Sequence, residues 1–135
     1  MSAMLSPTKS IFRNYAQVRA KNALNASKKW DFLGADGSGN VVKRIPNLII
    51  ENGLLGAMAF ALEKKGGHEE VFSALLAHLQ CEDINDASAK GVTTPAAWFE
   101  KLAGVSAEQF RITTAECMAY LAYLRRFGKK TEASE

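Results

Sequence analysis

Arg44-Ile-Pro-Asn-Leu-Ile-Ile-Glu-Asn-Gly-Leu-Leu-Gly-Ala-Met-Ala-Phe-Ala-Leu-Glu-Lys-Lys65 is apolar at nearly every position between Ile45 and Leu62. A run of that density reads as buried on almost all sides. It is about 18 residues long, near the lower limit for a bilayer-spanning helix, but Glu51, Asn52 and two glycines near its centre argue against lipid. The better reading is two short helices, roughly 41–52 and 54–65, bent at Gly53, where glycine tolerates the positive φ of a helix end. Gly56, one turn later, is expected to admit a second helix at close range. The remaining segments must pack around this hairpin.

A chain of 135 residues suits one domain that buries about two-thirds of its unfolded surface. Its 47% apolar and 23% charged content is that of a globular protein, with loose ends expected at residues 1–8 and 129–135 around a helical domain at 9–128. The Met1–Lys9 segment lacks the apolar core of a secretory signal, which predicts the cytoplasm. Cys81 and Cys117 are then thiols in or near the core. The net charge of +3 conceals an asymmetry. Residues 1–50 carry eight Lys/Arg against two Asp, residues 51–124 carry five against ten Asp/Glu, and residues 125–135 carry four against two. If the chain ends meet in space, they form one cationic surface opposite an acidic one.

Ser6-Pro-Thr8 can cap a first helix running to about Leu33. At 100° per residue Ile11, Tyr15, Val18, Ala26 and Leu33 share one side, and Lys9, Arg13, Lys21 and Lys28 form a basic stripe on the other. Arg19 lies at the edge of the apolar face and needs an acidic or carbonyl partner if covered. Gly34-Ala-Asp-Gly-Ser-Gly-Asn40 is a loop. It fails as an EF-hand, with Val41 at the glycine position and Asn47 at that of the bidentate glutamate, and no strand precedes it to make a phosphate-binding loop.

Gly66-Gly67 breaks the chain before a helix through Gln80 with Val71, Phe72, Leu75, Leu76 and Leu79 as its apolar stripe. Glu82, Asp83 and Asp86 lie in a solvated acidic connection. Thr94-Pro95 opens a helix anchored by Trp98, Phe99 and Leu102, and Ser106-Ala-Glu-Gln109 opens a short helical turn. Thr113-Thr-Ala-Glu116 fits a capping box for the final helix, whose last turn holds Arg125 and Arg126 before Gly128. No run of alternating β-branched residues is long enough for a strand. The expectation is therefore an all-α, single compact bundle of about six helices around the buried bent hairpin at residues 41–65.

Catalytic constellations are scarce. His78-x-x-Cys81 lacks a second ligand pair for zinc, and His68 is expected to be exposed. No nucleophile elbow, zinc-protease helix or Walker lysine occurs, so neither cofactor nor metal is called for. The chain reads as a non-catalytic binding or assembly protein, either contacting nucleic acid or serving as a helical protein–protein adaptor without such contact.

Ile45-Pro-Asn-Leu-Ile-Ile-Glu-Asn-Gly-Leu-Leu-Gly-Ala-Met-Ala-Phe60, followed by Lys64 and Lys65, resembles the Leu-Pro-x-Leu-Ile-x-x-Asn-Gly-Leu…Ala-Phe…Lys signature of the small subunit of the type III-B CRISPR (Cmr) effector complex. Thr114-Ala-Glu-Cys-Met-Ala-Tyr-Leu-Ala-Tyr-Leu-Arg-Arg-Phe127 is similar to that family's closing helix, and Arg19-Ala20 to its first-helix Arg-Ala. Ile45, Gly56-Ala57 and Tyr123 replace the usual Leu, Gln-Thr and Trp. The resemblance, from about Arg13 to Phe127, implies a non-catalytic subunit of an antiviral ribonucleoprotein. Its copies stack as an inner filament beside the backbone and large subunits, along the CRISPR RNA–target RNA duplex. With the basic patterning, it places nucleic-acid contacts at Arg13, Arg19, Lys21, Lys28, Lys43, Arg44, Lys64, Lys65, Arg125 and Arg126. An isolated subunit is expected to be a monomer at moderate salt.

Overall fold

The computed structural model describes residues 14–30 and 40–127. The expectations for the two chain ends, for Arg13 and for residues 34–39 of the glycine-rich connection lie outside these residues, and Asn40, read as the last residue of that connection, begins a helix. Five α-helices are present among them: α1 (Tyr15–Lys29), α2 (Asn40–Lys64), α3 (Gly67–Gln80), α4 (Pro95–Leu102) and α5 (Ala107–Phe127), with a 3-10 turn at Ala87–Ala89. No described residue is in a strand. The all-α bundle is as read, and the two halves of α2 bring the helical segments to six.

Gly53 has φ 79° and ψ 165°, outside helical space, and breaks α2 in two. A side chain there meets no steric obstacle, so it is the positive φ that calls for glycine. At Gly56 the expectation fails in an instructive way. An added Cβ would come within 2.9 Å of the Asn52 side chain, so the close approach is made by the residue just before the elbow and not by another helix.

The run is also less enclosed than its composition suggests. Val42, Ile45, Ile49, Leu54, Ala57, Met58 and Ala61 are buried, Leu48 and Leu55 only partly, and Ile50 is 69% exposed. By length and composition Val41–Lys64 could cross a membrane. In the fold it is broken at Gly53 and holds the centre of the core.

Helix α1 starts later and ends earlier than read. Asn14 caps it in a reciprocal box with Gln17, its Oδ1 accepting from the Gln17 amide at 2.8 Å and its own amide donating to Gln17 Oε1 at 3.1 Å. Trp30 is extended and stops it before Leu33. Thr94 caps α4, accepting from the Ala97 amide at 3.1 Å, and Trp98 and Leu102 fill the core.

The proposed break before Thr113 is absent, and α5 is one helix from Ala107. Its first turn is held by Ser106, whose Oγ accepts from the Gln109 amide at 3.0 Å. Thr113 is instead fully buried, donating to Asp86 at 2.8 Å. Asp86, read as solvated, is buried as well. Its carboxylate accepts from the Ser88 amide and hydroxyl at 2.8 and 2.6 Å, and Ser88 Oγ accepts from the Trp98 indole at 3.2 Å. The loop after α3 is thereby tied to α4 and α5.

Candidate nucleic-acid interface

Two residue pairs set the direction of α1 against α5. Arg19 Nε and Nη2 donate to Glu116 at 2.8 and 2.7 Å, and Tyr120 Oη donates to the Asn22 carbonyl at 3.2 Å. The helices run side by side in the same sense, so the last turn of α1, with Lys28 and Lys29, ends level with that of α5, with Arg125 and Arg126.

Helix α3 runs the other way. His78, near its C-terminus, meets Asn22 at 2.9 Å, while Ala74, one turn earlier, shares a cleft of about 200 Å³ with Lys29 and Trp30. Its first turn, with His68, therefore points to the same end of the bundle, as do Lys64 and Lys65 just before it.

His68 marks how closely these cations gather. It is half-buried, not exposed as read, and packs edge-on against Phe60 with ring centroids 5.5 Å apart. Burial lowers its pKa, and the positive charges of Arg44 and Lys64 lower it further. Arg44 and Lys64, twenty positions apart in sequence, thus act on one imidazole. Its Nε2 is buried without a hydrogen-bond partner.

Arg44, Lys64, Lys65, Arg125, Arg126, Lys21 and Lys28 are exposed, and Lys43 is half-buried. Lys64 also lies over the Phe60 ring at 5.5 Å. The structure thus brings Lys28, Arg44, Lys64, Lys65, Arg125 and Arg126 to one end of the bundle, and leaves Lys21 on the outer side of α1.

Arg19 stands apart from that group. Its guanidinium holds both oxygens of Glu116 in a bidentate pair, and the hydrogen bond with Glu116 raises its pKa. The sequence flagged the need for such a partner but held no signal for which acid answers it, since the two residues are 97 positions apart.

Glu116 also accepts from His78 Nε2 at 2.8 Å, and Asn22 Nδ2 donates to His78 Nδ1 at 2.9 Å, which together favour the Nε2–H tautomer. The imidazole stacks on Tyr120 with centroids 4.0 Å apart. Burial alone would raise the Glu116 pKa, but the bonds from Arg19 and His78 outweigh it and hold the carboxyl at about 2. Burial pushes the Cys117 thiol and the Tyr120 phenol upward. Both cysteines are free, and no group of three metal-ligating side chains occurs among the described residues.

The family model described as CRISPR-associated protein (Cas_Cmr5) matches residues 15–131. The chain belongs to the Cmr5 family of CRISPR-associated proteins. No curated protein and no solved structure matches it. The Cmr5 match takes in every described helix, so the cationic end and the Arg19–Glu116–His78 cluster both lie inside the region of family likeness.

Proposed function

We propose that this Cmr5-family chain is the non-catalytic small subunit of a cytoplasmic, type III-B CRISPR RNA-guided effector complex. Its copies stack beside the backbone and large subunits, and its cationic end contacts the backbone of the guide–target RNA duplex. The observation that carries this reading is the collection of Lys28, Arg44, Lys64, Lys65, Arg125 and Arg126, drawn from three helices and a turn, at one end of the bundle. Cations carried on helix ends held by the core have only their own side chains to order on meeting phosphates. A surface of cations suits recognition of an A-form duplex by shape and backbone, and not by base identity. Arg19 contributes to the fold in this reading, because its guanidinium is already occupied by Glu116.

The test is Arg44→Ala with Lys64→Ala in the assembled complex. Target-RNA affinity falls equally for unrelated matched guide and target pairs, and the salt slope of log K drops by about 0.7–0.9 for each phosphate that is no longer neutralised. The melting temperature of the free subunit stays within a degree or two of wild type. Unchanged RNA retention would favour the protein–protein adaptor reading, and loss for only some sequences would mean base readout.

A further inference from the structure

Four large apolar side chains are exposed among the described residues: Tyr15 at 54%, Leu24 at 41%, Ile50 at 69% and Ile112 at 54%. Tyr15 and Ile112 flank a cleft of about 440 Å³ between α1, the turn after α3, and α5, which Ile84, Asn85, Ala115 and Glu116 also line. The charged groups at its wall are already engaged, Arg19 with Glu116 and Asp86 with Ser88 and Thr113. The rim is acidic. Glu108 is exposed one turn before Ile112 on the same face of α5, and exposed Glu82 stands on the turn that carries Ile84. Arg111, also exposed, lies about 100° round the helix from Ile112.

The outer face of α1 has the inverse character. Gln17, Lys21, Leu24 and Lys28 follow at spacings of four, three and four, and all are exposed. They lie opposite the buried Val18, Ala23 and Ala26. Leu24 thus sits between two lysines on the helix, and the cleft offers Tyr15, Ile84 and Ile112 among polar groups, with Glu82 and Glu108 exposed on the two elements that border it. Such a pairing is the helix-in-groove mode of recognition, with charge fixing the register. Tyr15 and the stripe are on opposite sides of α1, so a chain cannot fold its stripe into its own cleft. Only two copies can make the match, and each leaves one stripe and one cleft open for the next.

We propose that the Lys21–Leu24–Lys28 face of one copy docks in the Tyr15–Ile84–Ile112 cleft of the next. The proposal rests on the stacked-copy reading above and names the faces that meet. It moves Lys21, and with it Lys28 of the cationic end, from RNA contact to contact with a second copy, and leaves Arg44, Lys64, Lys65, Arg125 and Arg126 to the RNA. A phosphate backbone could take the two lysines, but it gains nothing from Leu24, which the acidic-rimmed cleft covers.

The experiment uses the full chain freed of nucleic acid, in sedimentation velocity at low ionic strength. Wild type associates progressively with concentration, passes beyond dimers, and returns to monomer as salt rises. Lys21→Glu with Lys28→Glu, and separately Glu82→Lys with Glu108→Lys, each set like charges face to face and weaken association by at least about tenfold. An equimolar mixture of the two variants restores it, because unlike charges meet again at both contacts. A single chain with all four substitutions also associates like wild type. The four side chains are exposed, and circular dichroism checks that each variant is folded.

A wild type that stays monomeric at millimolar concentration overturns the proposal, as does a mixture no better than its components. Loss of target-RNA retention by Lys21→Glu with Lys28→Glu, with self-association unchanged, would assign the stripe to RNA and also overturn it. No RNA is present in the association assay, so its failure is distinct from failure of the RNA-contact reading.

Discussion

The middle of the α1–α5 seam and the end of the bundle both concentrate charge, and they treat it in opposite ways. At the seam Arg19, Glu116, His78 and Asn22 answer one another at 2.7–2.9 Å. At the end Arg44, Lys64, Lys65, Arg125 and Arg126 face solvent, and the nearby imidazole of His68 has its pKa pushed down. A half-buried, matched charge holds helices in register and has little left to offer a ligand. An exposed collection of one sign is held in place by the core beneath it and keeps its field directed outward. The seam pairs unlike charges with one another, and the end gathers like charges exposed to solvent.

The strongest way to break this comparison is to remove the shared acid. Glu116→Ala leaves Arg19 and His78 without their common partner and costs about 3–5 kcal/mol, read as a lower urea midpoint with an unchanged slope. A loss near zero would mean the cluster is as dispensable as a surface pair.

Acid sharpens the same point without mutation. The Glu116 carboxyl falls from its ordinary 4.5 to about 2 on folding. Its depressed pKa therefore adds stability that is fully present above about pH 4.5 and drains away as pH falls towards 2. The amount is roughly 2 kcal/mol once solvent screening is allowed for. Unfolding free energies measured across that window should show the fall in wild type and a flatter profile in Glu116→Gln.

At the cationic end the expected effect is the smallest. Arg125→Ala with Arg126→Ala removes two exposed charges from the last turn of α5 and shifts stability by less than about 1 kcal/mol, the share of their helix-dipole interaction. A larger loss in the same urea experiment would make them part of the fold and remove them from the proposed interface.

The helices themselves were legible because each carried a local signal, as in Thr94-Pro95 for α4 and Gly53 for the bend in α2. Arg19 could be set apart from the basic stripe by its angle on the helix. Its partner could not be found, because contact between residues 97 positions apart leaves no trace in spacing. The same holds for Asp86 and Thr113. Each looked like something local, a loop acid and a helix cap, until packing brought them within 2.8 Å of one another. His68 was misjudged for the same reason, since Phe60, its covering ring, belongs to the preceding helix. The cationic end was legible in part. Charge patterning placed the cations near the two chain ends, but only the parallel course of α1 and α5 brings those two helix ends level.

That parallel course also sets an order of assembly. The α2–α3 hairpin joins neighbours along the chain across the short turn at Lys65 and Gly66. The α1–α5 seam, by contrast, must close a span of 97 residues before its ion pair and hydrogen bonds form. Loop-closure entropy rises with that span, so the seam regains the most chain freedom when it opens. Helix α1 is thus the segment that joins last and detaches first. Native-state hydrogen exchange should find its amides opening at lower free energy than those of α3, which is packed from several sides.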